Sequence, residues 1–177
     1  MVAKRFYKET ESILFNSHIE EWRILSNMHP CRIYYNGLQF GSSEMLYWWL
    51  RFQGEGKERQ AVRNNLITQR GYWNGFRCKK IAQANKHLMD ASISEWDCLL
   101  IALEAKVRCC AEFRDALFSS RGKHLVELAP WDAVKYGAVL NKQSGLIEGG
   151  NGCGRLMMLV RDRLFNGKYS EGQSDIR

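Results

Sequence analysis

The chain has 177 residues, of which 45% are hydrophobic and 12% aromatic, and it carries a formal net charge of +7. This length and composition fit one soluble globular domain, and they exclude an intrinsically disordered chain or two full-sized domains. Because the sequence has neither an apolar run long enough to span a bilayer nor a signal-peptide pattern, we expect a cytoplasmic protein without a membrane partner.

Several common kinds of site are excluded by the spacing of their usual residues. The cysteines include no CxxC pair, and the four histidines show no metal-ligand spacing, so we predict neither a metal site nor a disulfide framework. The segment GNGCG lacks the GxGxxG spacing of a dinucleotide-binding fold, and a P-loop is absent. The positive charge makes an anionic partner plausible without naming one.

The first elements in chain order are short strands followed by helices. RIYYNGLQF predicts a β-hairpin, because Asn36 and Gly37 are suited to the positive φ angles of a tight turn. SSEMLYWWLRF predicts a helix that begins at a capping serine, and KERQAVRNNLI predicts a second, more exposed helix.

Glu44 is the first candidate for chemistry. It lies in the opening turn of the first predicted helix, and Tyr47, Trp48 and Arg51 follow on the same face. A carboxylate between aromatic rings and an arginine can act as a general acid or base, because desolvation raises its pKa while the cation lowers it. The alternative is that Glu44 only complements the helix dipole.

The segment QRGYWNGFRCKK mixes cations with aromatic rings. Arg70, Arg77 and Lys80 alternate there with Tyr72 and Trp73. This combination suits contact with phosphates and stacking on bases, so DNA or RNA contact is one interpretation. The other is an ordered loop that packs its aromatic side chains inward.

A long central helix is predicted from Ser94 to about Ser119, with Ser94 and Asp97 spaced as a capping box. Helical spacing puts Lys106 on its apolar stripe. A lysine there either extends its amine to the surface or lies at the floor of a pocket, where desolvation suits it to imine chemistry or to binding a sugar phosphate.

The last third of the chain combines an acidic segment with a glycine-rich turn and a helix. Asp132 is flanked by aromatic residues and in isolation would cap a turn. The glycines of GGNGCG precede a helix predicted from about Gly154 to Phe165. Either they leave the first amide groups of the helix free to bind an anion, or they only satisfy the geometry of a turn.

The predicted architecture is therefore α+β and mainly α-helical, with a few short N-terminal strands. We predict a single domain over residues 1–165. The polar segment over residues 166–177 is predicted to be a flexible C-terminal tail.

Six segments occur in the order found in one known family. They are LSN at Leu25 to Asn27, FGSSE at Phe40 to Glu44, EAKV around Lys106, LVE at Leu125 to Glu127, WDAVKYG at Trp131 to Gly137, and GGNGCGRLMMLVRDRL at Gly149 to Leu164. No single segment is specific, but the ordered set resembles the NADAR family of NAD- and ADP-ribose-associated domains. That family includes the YbiA-like N-glycosidases of riboflavin-biosynthesis intermediates.

The resemblance implies a small, mainly helical α+β fold and hydrolysis of the bond between a ribose C1′ and a nitrogen. The substrate classes it implies are ribosylamino-pyrimidine phosphates of the riboflavin pathway and ADP-ribose attached to guanine in nucleic acid. The net charge favours the second class. No metal or organic cofactor is required.

The family pattern also assigns residues to the site. We hypothesise that Glu44, with Asp132 as partner, manages the proton and the water, while Lys106 stabilises the open ribose as an imine or holds its phosphate. The remaining substrate contacts that we predict are Asn27, Ser43, Trp48, Arg51, Trp96, Glu127, Trp131, Tyr136, Gly137, Asn151 and Arg155, of which the family pattern implies Asn27, Glu127 and Asn151.

The chain departs from the family pattern after the helix glutamate. Where the family usually has a glutamine and a lysine, this chain has Trp48 and Arg51, and an arginine binds phosphate but forms no imine. A non-catalytic module that binds ADP-ribose or a nucleotide is therefore the alternative to an enzyme.

Overall fold

A computed structural model describes residues 5–167 of the chain. Its strands are β1 (Arg5–Lys8), β2 (Ser12–Phe15), β3 (Ile33–Tyr35), β4 (Leu38–Phe40), β5 (His124–Glu127), β6 (Ala138–Asn141) and β7 (Leu146–Gly149). Its helices are α1 (Ser43–Arg51), α2 (Lys57–Thr68), α3 (Asn74–Ala84), α4 (Glu95–Cys109), α5 (Ala111–Ser119) and α6 (Gly152–Phe165). The predicted α+β class with dominant helices is confirmed, and β5, β6 and β7 add strands in the second half.

The described residues form two compact units, one of residues 27–111 and one of residues 5–26 together with 112–167. The single domain predicted over residues 1–165 stays a prediction, and most of the predicted tail, from residue 168 onward, lies outside the described residues. No helix in the described part of the chain has the length and apolar character needed to cross a membrane.

In the unit of residues 27–111, helix α1 is the central element. It packs against α2, α3 and α4, and its residues are buried almost all the way round. The near-continuous apolar run of this segment explains its position, since a helix with apolar side chains on every face is stable only when it is enclosed. Met45, Leu46 and Leu50 of α1 pack in a core with residues of α4 such as Leu103.

Local signals in the sequence define the ends of the elements in this unit. Strands β3 and β4 form the predicted hairpin, in which Asn36 and Gly37 have φ angles of 47° and 70°. The Ser42 hydroxyl accepts a hydrogen bond from the Met45 amide at 3.3 Å, which confirms the capping serine of α1. Ser94 accepts from the Asp97 amide at 3.2 Å and caps α4.

The prediction of one continuous helix from Ser94 to Ser119 is wrong, because the helix is interrupted at Cys110. Helix α4 ends at Cys109 and α5 begins at Ala111, while Cys110 itself has an extended backbone with φ of −119° and ψ of 105°. Its thiol is hydrogen-bonded to that of Cys31. A contact of this kind is made with a distant part of the chain, so helical periodicity cannot reveal it.

The unit of residues 5–26 and 112–167 is built on two small sheets. Strands β1, β7 and β6 form an antiparallel sheet in that order, and β2 pairs in parallel with β5. Helix α6 packs against β5. Tyr7, Val126, Ala138 and Ile147 form a buried apolar cluster that joins the sheets.

Candidate functional site

Glu44 lies in the first turn of α1 with only 8% of its surface exposed. Glu44 is buried because the helix that carries it is enclosed by its neighbours, and this enclosure includes the first turn. Its backbone amide donates to the carbonyl oxygen of Asn27 at 3.0 Å. The glutamate therefore does more than complement the helix dipole at a solvated surface.

The two oxygens of the Glu44 carboxyl group have different surroundings. The Trp48 indole Nε1–H donates to Oε1 at 2.7 Å, as the spacing of four residues predicts. Within residues 5–167, no donor hydrogen-bonds to Oε2. Burial raises the pKa of Glu44, while the positive charge of Lys79 and the indole hydrogen bond act in the opposite direction. The result is a carboxyl group that holds a proton at a higher pH than an exposed glutamate.

Asn27 and Ser43 lie together at the start of α1. The Ser43 hydroxyl donates to the Asn27 side-chain oxygen at 3.1 Å and is 3.3 Å from the Asn27 carbonyl oxygen. Both residues are buried. These contacts hold the LSN segment against the start of α1, so the structure brings together four of the predicted site residues, Asn27, Ser43, Glu44 and Trp48.

Helix α3 supplies two neighbours of Glu44 that the sequence did not connect with it. A Cβ placed on Gly75 would lie 3.3 Å from the Cβ of Glu44, so α3 approaches α1 closely at this point. Lys79, four residues later on the same face, supplies the positive charge felt by the carboxyl group. The pair of a glycine and a lysine at helical spacing is the signal that could have indicated this face.

Arg51 and Trp96 lie in the same unit but are not shown to contact Glu44. The Arg51 guanidinium donates from Nη1 to the Ile93 carbonyl oxygen at 2.7 Å, although helical spacing put it on the face of Glu44. Its Nε is buried and has no hydrogen-bond partner among residues 5–167. Trp96 is half-buried in the first turn of α4. Arg51 therefore supports the segment before α4, and its contact with a phosphate stays a prediction.

Lys106 is completely buried in α4, with 0% of its surface exposed. This excludes the alternative in which its amine extends to the surface. Its charge acts on the Cys31 thiol and opposes the rise in that thiol's pKa, which is caused first by the hydrogen bond with Cys110 and then by burial. The lysine is thus enclosed in the interior of its unit, as the second interpretation of its position requires.

The glycine-rich turn lies in the other unit, and four of its amide groups are bound by the protein's own backbone. The amides of Gly150, Asn151, Gly152 and Cys153 donate to the carbonyl oxygens of Ala133, Gly137, Lys135 and Tyr136, at distances from 2.7 to 3.1 Å. These four amides are therefore occupied, which favours the interpretation of a turn over that of an anion site built from them. The turn instead attaches the start of α6 to the WDAVKYG segment.

Asn151 holds α6 to strand β5. It is completely buried in a left-handed conformation with φ of 45°. Its side-chain nitrogen donates to the Leu125 carbonyl oxygen at 2.9 Å, and its side-chain oxygen accepts from the Glu127 amide at 3.1 Å. Asn151 thus has a structural role, and the side chain of Glu127 is half-buried beside it.

The WDAVKYG segment forms a compact turn around Asp132. The Asp132 carbonyl oxygen accepts from the amides of Lys135, Tyr136 and Gly137 at 3.2, 3.2 and 3.0 Å, so Asp132 lies at the start of a turn, while the capping role of its side chain stays a prediction. Trp131 is 74% exposed, and Tyr136 is half-buried with the Lys135 amine 5.1 Å from its ring centre. Arg155 is exposed on α6. A partnership of Asp132 with Glu44 stays a prediction.

Replacing Asn151 with alanine should destabilise the protein by about 2–4 kcal/mol, because two buried backbone groups of β5 lose a hydrogen bond. Chemical unfolding followed by circular dichroism measures this. Asn141→Ala is the control, since Asn141 is exposed and its oxygen accepts only from amides of its own turn. Equal stabilities of the two variants would contradict the structural role of Asn151.

Comparison with known proteins identifies the fold. No protein-family model and no curated protein matches the chain. The chain is similar to the solution NMR structure of the Escherichia coli protein YbiA, with 22% sequence identity and a TM-score of 0.64. The similarity covers 93% of this chain and 92% of that one. The chain therefore has a YbiA-like fold, and the similarity at this level of identity concerns the fold alone.

Proposed function

We propose that this protein is an N-glycosidase that hydrolyses a bond between a ribose C1′ and a nitrogen. The observation that carries the proposal is the environment of Glu44, a buried carboxyl group with a raised pKa, one oxygen fixed by an indole and the other without a hydrogen-bond donor in residues 5–167. Perturbed carboxyl groups of this kind are typical of general acid–base sites. The YbiA-like fold and the ordered NADAR-like segments support the same conclusion.

In this proposal the Oε2 atom of Glu44 handles the proton of the reaction. The C1′–N bond breaks with its electron pair moving to the nitrogen, which takes up a proton, and water adds to C1′ with loss of a proton. Glu44 in its protonated form donates to the leaving nitrogen, and its carboxylate then accepts a proton from water. Fixing Oε1 on Trp48 orients the second oxygen for this exchange.

Lys106 is the second residue of the proposal. Its enclosure in α4 supports a role that requires a desolvated amine, either imine formation with the opened ribose or a contact with phosphate. Trapping with borohydride separates these roles. Imine formation predicts a covalent adduct on Lys106 by mass spectrometry, and an unmodified lysine in an active preparation removes the imine from the proposal.

A two-substrate assay tests the function and identifies its substrate class. The purified protein is offered a ribosylamino-pyrimidine phosphate and an oligonucleotide with ADP-ribose on guanine, each in ¹⁸O-labelled water. We expect release of the free base from one of them and a single ¹⁸O at C1′ of the product. Tight binding of either substrate without release of a base would instead favour the non-catalytic module.

Replacing Trp48 with phenylalanine should move the pH profile of the reaction upward. The indole hydrogen bond lowers the pKa of Glu44, so its removal raises that pKa further, while the aromatic ring remains for stacking. The measurement is the pH dependence of kcat/KM, in which the limb assigned to Glu44 shifts to higher pH. Trp49→Phe is the matched control, because the neighbouring Trp49 packs against Phe40 rather than on the carboxyl group. An unshifted Trp48→Phe profile would remove Glu44 from that limb.

A further inference from the structure

One sequence segment in the unit of residues 27–111 carries positive charge without any acidic residue. From residue 59 to residue 89 the chain has seven lysines and arginines and no aspartate or glutamate. The cations are Arg59, Arg63, Arg70, Arg77, Lys79, Lys80 and Lys86. Arg59 is paired with Asp90 at 3.5 Å and Arg63 packs on the ring of Trp49, so the charge suited to an anionic partner is that of the other five cations.

A groove of about 450 Å³ opens beside this segment. We call it the Arg70 groove, and its lining includes Arg32, Gln39, Gln69, Arg70 and Tyr72. Arg32 and Arg70 are both exposed. Nη1 of Arg70 donates to the carbonyl oxygens of Ile67 and Gln69, which fixes the side chain and leaves its other guanidinium nitrogens to face a ligand. The amides Gln39 and Gln69 add hydrogen-bonding groups to the same walls. The groove thus offers cations and polar groups along an open channel.

Aromatic rings stand at the edge of the groove. Tyr72 and Trp73 are 47% and 51% exposed, and their ring centres lie 5.1 Å apart in an edge-to-face arrangement. Trp73 also packs at 5.2 Å on Phe76, which holds it in place. This outcome contradicts the interpretation of QRGYWNGFRCKK as a loop that packs its rings inward. Exposed, adjacent rings beside cations are the arrangement on which unstacked bases pack.

The loop that carries Arg70, Tyr72 and Trp73 is held in place by hydrogen bonds to its backbone. Asn74 is buried, donates to the carbonyl oxygens of Gly41 and Gly71 at 3.1 and 2.8 Å, and accepts from the Ser42 hydroxyl at 2.6 Å. The Arg77 guanidinium donates to the carbonyl oxygen of Arg70. Because the loop is held at both ends, binding costs little conformational entropy.

We infer that the Arg70 groove binds single-stranded nucleic acid, with phosphates on Arg32 and Arg70 and bases stacked on Tyr72 and Trp73. Charge complementarity supports a polyanion, and the exposed rings favour a strand with unpaired bases over a duplex. The inference does not rest on the proposed function, since binding in this groove requires no reaction at Glu44.

Fluorescence anisotropy with labelled 12-nucleotide strands tests the inference, with DNA and RNA strands in separate arms and a DNA duplex of the same length alongside. We expect both single strands to bind more tightly than the duplex. The Tyr72→Ala/Trp73→Ala variant should bind single strands at least ~10-fold more weakly, and Tyr72→Phe should bind as the unchanged protein does. Circular dichroism checks that each variant is folded.

The salt dependence of binding distinguishes phosphate contacts made by the two groove arginines from an effect of the protein's overall positive charge. Arg32→Gln/Arg70→Gln should reduce the slope of log K against log salt by about 1.4, since each phosphate contact on a single strand contributes about 0.7. Lys57→Gln/Lys142→Gln removes two exposed cations outside the groove and should leave the slope unchanged. Equal slopes for the two double variants, tighter binding of the duplex, or stronger binding of an acidic peptide would each overturn the inference.

Discussion

Replacing Glu44 with glutamine should lower kcat of the proposed hydrolysis by at least ~100-fold, the usual contribution of a general acid or base. Glutamine keeps the size of the side chain, and its oxygen can still accept the hydrogen bond from Trp48. What it loses is the ability to give and take a proton. The measurement is single-turnover release of the base under saturating protein, which separates chemistry from binding.

The same substitution should make the folded protein more stable at neutral pH. Burial raises the pKa of Glu44 above its ordinary value of 4.5, so the folded state binds more protons than the unfolded state at pH values above 4.5. The free energy of unfolding therefore falls as the pH rises from 4.5 through the raised pKa. Glutamine removes this fall, and the gain in Tm over the unchanged protein should grow with pH across that window.

Glu58→Gln is the matched control for both effects. Glu58 also lies in the first turn of a helix, α2, but it is exposed. Its replacement should change neither kcat nor the pH dependence of Tm, because a surface glutamate has no desolvation to relieve. Full activity of a folded Glu44→Gln protein would contradict the proposed mechanism, and identical Tm profiles for the two variants would contradict the buried state of Glu44.

Replacing Gly154 with alanine should destabilise the protein by more than ~3 kcal/mol, to the point at which much of it fails to fold. In an ordinary helix this substitution is stabilising by up to ~1 kcal/mol. At Gly154 the new Cβ would overlap the backbone carbonyl oxygen of Leu125 and lie 2.5 Å from the side-chain oxygen of Asn151. Neither atom can move without separating α6 from β5. Chemical unfolding, or the soluble yield if the variant does not fold, measures the loss.

Gly122→Ala provides the comparison for this prediction. Gly122 lies in the same unit at a positive φ of 78°, and nothing is within 4 Å of a Cβ placed there. Its replacement has only the backbone strain of that conformation to overcome, about 1 kcal/mol. A loss at Gly154 no larger than at Gly122 would show that α6 can move away from β5.

Features decided by neighbouring residues were predictable from the sequence. The turn at Asn36 and Gly37, the caps at Ser42 and Ser94, and the hydrogen bond between Trp48 and Glu44 depend on backbone conformation or on helical spacing alone. The same helical count put Lys106 on the apolar stripe of its helix, but it left open whether the amine would be buried or would extend to the surface. These are interactions within a few positions of the chain, where geometry leaves few choices.

Features decided by distant segments were not predictable in this way. The break at Cys110 accompanies a contact with Cys31, the charge acting on Glu44 comes from Lys79 on another helix, and the amides of the glycine-rich turn are bound by residues 133–137. Each requires knowing which helices or loops meet. The glycines alone indicated close approach at the turn, but they did not tell whether a ligand or the protein's own backbone would approach.

The pairing of β2 with β5 has a consequence for the order in which the protein acquires its structure. It joins Ser12–Phe15 to His124–Glu127, so about a hundred residues are synthesised between the two strands. Residues 27–111 form a continuous segment that can collapse as soon as it leaves the ribosome. Strands β1 and β2 can pair only after β7 and β5 have been synthesised. We expect the closure of the long loop between β2 and β5 to limit the rate of folding.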